Sequence, residues 1–207
     1  MLTQAKKKLS FNTPQIEFIN SSAPFNCFCG GFRSGKSFVG FSRFWILAAN
    51  HPGINMAYYA PTTPIIKKVL FKGIAEVGRL FGELYGWECR AVINRTDKVI
   101  KLMINDVHYG TIQANSMHDP ESIMGDQWSH AMVDEIDRLS MENAQAAWNQ
   151  IIARSSEVRA DYPVNTVDFT STPEGHHWIY NFFIVRLMKD PSMQEHYRLI
   201  RAPTTQN

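Results

Sequence analysis

Residues 30–37 read GGFRSGKS and match the pattern GxxxxGK[ST]. Glycines at these positions let backbone N–H groups turn toward a phosphate, and a helix that begins there adds its positive N-terminus. In this pattern Lys36 reaches the β- and γ-phosphates and Ser37 ligates Mg²⁺. The stretch predicts a nucleoside-triphosphate site, whereas the alternative interpretation is an ordinary turn. The residues predicted to bind the nucleotide here are Gly30, Gly31, Arg33, Ser34, Gly35, Lys36 and Ser37.

An arginine lies inside this loop, at position 33. Its guanidinium could lie beside the γ-phosphate and stabilise the charge of the transition state, as arginine fingers do. Alternatively, Arg33 is a solvated loop residue that points away. We expect Arg33 and Lys36 to be catalytic.

The stretch SHAMVDEID, residues 129–137, is an apolar strand that ends in adjacent acids. Asp134 is expected to hold Mg²⁺, and Glu135 is expected to polarise the attacking water as the catalytic base. The alternative is a solvated helix start, where acids are also favoured. Because Glu135 directly follows Asp134, the pair is typical of ATPases that carry their base on this strand. It favours hydrolysis over nucleotide-kinase chemistry.

A third stretch, VDFTSTPEG at residues 167–175, is a strand that ends in small hydroxyl residues. Thr170, Ser171 and Thr172 could hydrogen-bond the γ-phosphate or the attacking water from a neighbouring strand end. The alternative is that they cap a helix before Pro173.

An amide side chain lies upstream, in a predicted N-terminal helix that ends near Ser21. Thr13 is the expected N-cap of this helix, and Pro14 occupies its first position. The amide of Gln15 can both donate to and accept from adenine, and Phe11 is available to stack on the base. Taken alone, Gln15 fits an ordinary helix-surface residue better.

Strand-like and helical patterns alternate along the chain, as in FNCFC, INMAYYA and the helices that follow them. This alternation predicts an α/β domain with a mostly parallel central sheet flanked by helices. Residues 89–114 alternate around Asn/Asp turns and predict an antiparallel hairpin, either an insertion or an edge. We expect one domain, with residues 1–22 as the N-terminal helix and residues 23–207 as the core.

The composition, with 44% hydrophobic and 19% charged residues among 207, is that of a globular domain. Since no apolar run approaches ~20 residues and no signal-peptide segment follows the basic N-terminus, we expect a cytosolic protein. A net charge of +2 is too small for nucleic-acid binding by bulk electrostatics. Cys27, Cys29 and Cys89 are expected to be reduced thiols outside any disulfide or metal site.

Several basic residues fall on one predicted helical region. Lys67, Lys68, Lys72 and Arg79 could contact nucleic-acid phosphates there. Lysines on a solvated helix face are usual, and we interpret these four as solvated.

In this order and spacing, the stretches FNTPQ, GGFRSGKS, MVDE and TSTPEG resemble the N-terminal ATPase domain of tailed-bacteriophage large terminase subunits. The resemblance covers nearly the whole chain and implies a P-loop fold of the ASCE type. It assigns adenine binding to Gln15, the Walker A loop to Arg33, Lys36 and Ser37, the Walker B motif to Asp134 and Glu135, and the coupling motif to Thr170, Ser171 and Thr172.

The resemblance also implies an activity and partners. The chain would use ATP and Mg²⁺ to drive double-stranded viral DNA through a portal into a procapsid, in the host cytoplasm. Expected partners are the DNA, the portal protein and the small terminase subunit, with no membrane. The subunits would form a homo-oligomeric ring during packaging, and the isolated domain would be monomeric. Large terminases also carry a C-terminal nuclease domain, which we expect to be absent from this chain.

Two positions depart from the family pattern. Phe32 stands where many members have the Walker A arginine, and Met124 stands where many have an arginine upstream of Walker B. That upstream arginine acts on the ATP of a neighbouring subunit. A finger in trans would therefore come from elsewhere, for example Arg79, Arg95 or Arg138, or would be absent.

Two other functions share these motifs. A helicase or other nucleic-acid translocase also combines a glutamine, a P-loop, an Asp-Glu pair and a Ser/Thr motif, but it normally needs a second lobe with its own arginine motif. A binding or switch module would hold nucleotide without useful turnover, and the Asp134-Glu135 pair argues against it.

Overall fold

The computed structural model of the chain describes residues 10–123, 127–173 and 175–202, so Met124 lies outside the described residues. Within them the strands are β1 (Phe25–Gly30), β2 (Ile54–Ala60), β3 (Cys89–Asn94), β4 (Val99–Ile104), β5 (Val107–Ser116), β6 (His130–Asp134), β7 (Thr166–Ser171) and β8 (Tyr197–Ala202). They form one sheet in the order β3-β4-β5-β2-β6-β7-β1-β8. From β5 to β8 every neighbouring pair in this order is parallel, which confirms the predicted mostly parallel sheet.

Helices connect most of these strands. The α-helices are α1 (Thr13–Ile19), α2 (Lys36–Asn50), α3 (Thr63–Ile65), α4 (Phe71–Tyr85), α5 (Met141–Ile152), α6 (Trp178–Tyr180) and α7 (Arg186–Lys189). A π-helical segment, Ile66–Leu70, joins α3 to α4, and a second, Asn181–Val185, joins α6 to α7. The helical run over residues 63–85 and the one over residues 178–189 are therefore each continuous but contain a widened turn. No helix in the described ranges is long and apolar enough to cross a membrane.

The antiparallel excursion predicted near residues 89–114 is the edge of the sheet. β3 pairs antiparallel with β4, and β4 pairs antiparallel with β5. β5 then pairs parallel with β2, so the excursion has a third strand and joins the sheet directly. The β4–β5 turn uses Asn105 and Asp106 at φ 49° and 61°, a conformation in which Asn and Asp are enriched.

Helix α1 begins one residue earlier than predicted, because its N-cap is Asn12 and not Thr13. The Asn12 side chain accepts from the backbone N–H of Gln15 at 3.1 Å, and the Gln15 side chain accepts from the backbone N–H of Asn12 at 3.1 Å. This reciprocal pair is a capping box, which satisfies two otherwise unpaired donors at the helix start. The helix ends at Ile19, before the predicted Ser21.

The core lies on both faces of the sheet. Phe41, Phe44 and Trp45 of α2 have exposures of 2% or less and pack against one face. Trp148 of α5 packs with Trp178 on the other face. Burying an apolar side chain of this kind contributes about 1.5–3 kcal/mol to the free energy of folding. These two layers hold the carboxyl ends of the parallel strands in place.

Cys27, Cys29 and Cys89 carry free thiols in the structure. Cys27 is buried, whereas Cys29 and Cys89 are half-buried. Burial raises the pKa of the Cys27 thiol well above its ordinary value.

Candidate functional site

The turn between β1 and α2 holds the predicted phosphate loop. Gly35 has a φ of 81°, which glycine adopts without steric cost, and α2 begins directly after it. A Cβ atom at Gly30 would lie 2.5 Å from Ser34 Oγ and 2.9 Å from the Ala202 carbonyl oxygen, so no larger residue fits without displacing its neighbours. The backbone of the loop therefore requires both glycines of the pattern.

Lys36 is folded back over this loop. Its Nζ donates to the carbonyl oxygens of Gly30 at 2.9 Å and Gly31 at 3.1 Å. The same Nζ lies 3.8 Å from Oε1 of Glu135. The Walker A lysine and the predicted base are thus in direct electrostatic contact.

Asp134 ends β6 in a buried position with an exposure of 4%, which rules out the alternative of a solvated helix start. Tyr58 of β2 donates to its Oδ2 at 2.7 Å, and Thr170 of β7 donates to its Oδ1 at 2.6 Å. Burial raises the pKa of Asp134, while the two hydrogen bonds lower it. The carboxylate is therefore held in one orientation by both neighbouring strands.

Glu135 follows in a left-handed conformation, with a φ of 51°. Its backbone N–H donates to the Thr170 carbonyl oxygen at 2.7 Å. Thr172 donates twice to its carboxylate, from the backbone N–H to Oε2 at 3.1 Å and from Oγ1 to Oε1 at 2.9 Å. Non-glycine residues in this region cluster at functional sites, where surrounding contacts stabilise them.

The three hydroxyls of the predicted coupling motif each contact a different acid. Thr170 donates to Asp134 and Thr172 to Glu135, as described, and Ser171 donates to Oδ2 of Asp137 at 3.4 Å. The next helix begins only at Trp178, so these residues are not its cap. Direct contact with a γ-phosphate stays a prediction.

A cavity of about 510 Å³ brings the two motifs together. It is lined by residues 32–38 of the loop, by Asp134, Glu135 and Arg138 after β6, and by Ile65, Lys68 and Val69 after β2. Arg33 and Arg138 are exposed, and Arg33 has a φ of 63°. Four cationic side chains face two acids here, so the cavity suits a polyanion such as a triphosphate.

A second cavity, of about 590 Å³, lies against the same loop but has a different chemistry. Gly30 and Gly31 line it together with Ile179, Tyr180 and Leu199. Its lining is mostly apolar and lacks Lys36 and the Asp134-Glu135 pair. The first cavity is therefore the candidate phosphate site.

Gln15 does not line either cavity. It has an exposure of 4%, and its carbonyl oxygen accepts from Asn12 as part of the capping box. The Phe11 ring lies 5.5 Å from the ring of Phe38, which lines the charged cavity. Contact between Gln15 and adenine stays a prediction. Phe11 reaches the charged cavity through its ring contact with Phe38.

The sequence profile of the family described as terminase large subunit, T4likevirus-type, N-terminal, matches residues 27–206. The chain belongs to this family. The family that the four motifs predict is therefore confirmed. No curated protein matches the sequence.

Solved structures of phage packaging proteins share the fold of this terminase chain. The large terminase from a thermophilic bacteriophage has a TM-score of 0.73 and 15% identity, over 96% of this chain and 47% of that chain. The Thermus phage P74-26 large terminase ATPase domain has a TM-score of 0.66 and 18% identity, over 93% of this chain and 81% of that chain. The N-terminal domain of the DNA packaging ATPase from bacteriophage phi29 has a TM-score of 0.53 and 15% identity, over 84% of this chain and 84% of that chain. The predicted P-loop fold is confirmed, and the chain spans about half of the first of these proteins.

A buried ion pair lies behind the site of this terminase chain. Arg43 of α2 places Nε 2.7 Å from Oδ2 of Asp168, two residues before Thr170 on β7. Burial raises the pKa of Asp168 to about 6, although Arg43 and a hydrogen bond from Asn26 lower it. The guanidinium also donates to carbonyl oxygens at the end of α1, those of Phe18 at 2.6 Å, Ile19 at 2.9 Å and Ser21 at 2.9 Å. One side chain thus joins α1, α2 and the coupling strand.

The terminase motifs did not reveal every member of this site. Asp137 is the third acid of VDEID, so its position beside Asp134 and Glu135 could have indicated a role in the site. The sequence indicates a role for Arg43 less clearly, through a single charge within the apolar helical run SFVGFSRFWIL. Tyr58 lies in the run INMAYYA, where sequence predicts burial but no partner.

Proposed function

We propose that this chain is the ATPase part of a phage DNA-packaging motor and hydrolyses ATP in the charged cavity between the P-loop and β6. The observation that carries the proposal is the 3.8 Å contact between Lys36 Nζ and Glu135 Oε1, because a phosphate-binding lysine and a base then act on the same space. Family membership supports it. The large terminase of the thermophilic bacteriophage has been solved in complex with ATP-gamma-S and with ADP.

Nucleotide binding would require Lys36 to exchange its partners. Its Nζ now donates to two neutral carbonyl oxygens, those of Gly30 and Gly31. Hydrogen bonds to ionised oxygens are about twice as strong as neutral ones, so a triphosphate would draw Lys36 to its β- and γ-phosphates. The loop N–H groups and the N-terminus of α2 would bind the same phosphates. Adenine would extend toward Phe11 and Gln15.

Ser37 and Asp134 would hold Mg²⁺. Both line the charged cavity and both offer oxygen ligands, which this cation prefers. When bound, the ion supplies positive charge beside the β- and γ-phosphate oxygens. Burial raises the pKa of Asp134, whereas the hydrogen bonds that Thr170 and Tyr58 donate to its carboxylate lower it, so both donors favour the ionised form that would bind the cation.

Glu135 would act as the base. It would accept a proton from the water that attacks the γ-phosphorus, while the bond from that phosphorus to the β–γ bridging oxygen breaks and ADP leaves with the electron pair. The two hydrogen bonds from Thr172 fix the direction of the carboxylate. Arg33 would stabilise the charge on the transferred phosphoryl group, and Lys36 would do the same from the loop.

Thr170, Ser171 and Thr172 would couple hydrolysis to movement. Their strand lies between β6, which carries the acids, and β1, which leads into the P-loop. A change in the contacts of Glu135 would therefore act on this strand directly. In the intact motor the movement would drive double-stranded DNA through the portal protein, in a homo-oligomeric ring with the small terminase subunit, in the host cytoplasm.

The helicase alternative shares the ATP site but is not favoured, because the matching family is that of the terminase large subunit. A switch module without turnover is also less favoured. Such a module would not need Thr172 to fix the Glu135 carboxylate beside Lys36.

Glu135→Gln tests the proposal, since it keeps the shape of the side chain and removes the base. We expect ATP to bind with unchanged or higher affinity and the hydrolysis rate to fall by about 10²–10⁴. Glu142→Gln, at an exposed position of α5, is the control and should behave as wild type. Phosphate release and nucleotide titration measure the two effects. Hydrolysis that persists in Glu135→Gln, or a wild-type chain that binds no ATP, would contradict the proposal.

A further inference from the structure

The segment that joins α3 to α4 contributes a cation to the charged cavity. Lys67 and Lys68 are both exposed in this π-helical segment, between the buried Ile66 and Leu70. Lys68 lines the charged cavity, together with Ile65 and Val69. π-Helical turns occur often at functional sites. Lys68 is therefore exposed to solvent, as expected from the sequence, but it also lines the charged cavity.

The charge of Lys68 has no counterion within the described part of the chain. The two acids of the cavity are already engaged, Asp134 by Tyr58 and Thr170, and Glu135 by Thr172 and Lys36. The next residue on its helix face, Lys72, carries the same sign and lies four residues on. An ammonium that faces this cavity without an acid favours an anion there.

We propose that Lys68 binds the γ-phosphate of ATP, so that the site distinguishes ATP from ADP through a residue outside both Walker motifs. The inference rests on the proposed function. The P-loop wraps the β-phosphate of either nucleotide, whereas Glu135 marks the end of the cavity where the γ-phosphate reacts. Lys68 shares this cavity from a separate helix. The γ-phosphate therefore links that helix to the P-loop, and hydrolysis breaks the link.

Titration of the 207-residue chain with ATP-gamma-S and with ADP, each with Mg²⁺, tests the inference. We expect Lys68→Ala to raise the Kd for ATP-gamma-S about tenfold and to leave the Kd for ADP within about twofold, because a charge-assisted bond to the γ-phosphate is lost. Lys68→Arg should restore most of the affinity for ATP-gamma-S. Lys67→Ala is the matched control, since Lys67 lies on the same turn but does not line the cavity. It should leave both Kd values unchanged.

The possible outcomes separate the two proposals. Equal effects of Lys68→Ala on both nucleotides, or none on either, would overturn the role of Lys68 while leaving the ATP site intact. A wild-type chain that binds neither nucleotide would overturn the proposed function itself. Because Lys68 is exposed, its substitution should leave thermal unfolding unchanged, and a melting curve checks this.

Discussion

Tyr58→Phe tests how the Asp134 carboxylate is kept ready for Mg²⁺. Tyr58 has an exposure of 0%, and its hydroxyl donates to Oδ2 of Asp134 at 2.7 Å. Burial raises the pKa of Asp134, whereas the hydrogen bonds from Thr170 and Tyr58 lower it. The substitution removes one of these donors and no ring atom. The pKa of Asp134 should therefore rise further, and the ionised form should be lost at a higher pH than in wild type.

The size of the effect follows from the charge on the acceptor. A hydrogen bond to a charged group contributes about 1.5–3 kcal/mol, and about 1.4 kcal/mol changes an equilibrium constant tenfold. Because Mg²⁺ competes with a proton for the carboxylate, the defect appears on the acid side. We expect the half-saturating Mg²⁺ concentration to rise about tenfold at an acidic pH and to stay within about twofold of wild type at an alkaline pH.

Tyr59→Phe is the matched control for this experiment. Tyr59 has an exposure of 1%, and its hydroxyl accepts from Trp128 Nε1 at 3.1 Å. Its side chain lies on the other face of β2, in the core that contains Trp148. Steady-state hydrolysis over a series of Mg²⁺ concentrations at the two pH values gives the comparison. An equal Mg²⁺ defect at both pH values, or the same defect in Tyr59→Phe, would refute the reasoning.

Three further substitutions test other contacts of the site. Thr172→Val removes the hydrogen bond from Oγ1 to Glu135 and keeps the one from the backbone N–H. The hydrolysis rate should therefore fall about tenfold, with an unchanged Kd for ATP. A higher Kd with a normal hydrolysis rate would contradict this. Arg33→Ala should lower turnover by about 10³–10⁵ and spare binding. Wild-type subunits should not restore activity to Arg33→Ala in mixed assemblies, and rescue would show that the finger acts in trans. Arg43→Lys should lower the free energy of unfolding by about 3 kcal/mol in urea, because a lysine cannot keep the ion pair and all three carbonyl contacts. Arg79→Lys is the control, because Arg79 forms an exposed ion pair with Glu83 on one helix. It should change the free energy of unfolding by about 0.5 kcal/mol or less. If Arg43→Lys and Arg79→Lys lowered the free energy of unfolding equally, the buried contacts of Arg43 would have no special role in stability.

The phosphate loop and the acidic strand end were predictable because each depends on a short run of residues. Gly30 and Gly35 are required by local backbone geometry, and Asp134 and Glu135 follow a continuous apolar strand. The order of strands and helices was predictable for the same reason, since hydrophobic periodicity is local.

The connections between motifs were less predictable. Tyr58 and Asp134 are 76 residues apart in the chain and meet only because β2 and β6 are neighbours in the sheet. Contact of the coupling hydroxyls with the γ-phosphate or the attacking water stays a prediction, and the structure shows in addition that these hydroxyls donate to the acids. Nothing in TSTPEG indicates which strand lies beside it, so sequence could name the donors but not their acceptors. The same limit applies to Arg43 and Asp168.

A crystal structure of the chain with Mg²⁺ and ATP-gamma-S tests the central claim most directly. We predict that Lys36 leaves the carbonyl oxygens of Gly30 and Gly31 and contacts the β- and γ-phosphates, with the metal between Ser37 and Asp134. A nucleotide bound instead in the apolar cavity beside Tyr180, or Lys36 still bonded to the two carbonyls, would contradict it.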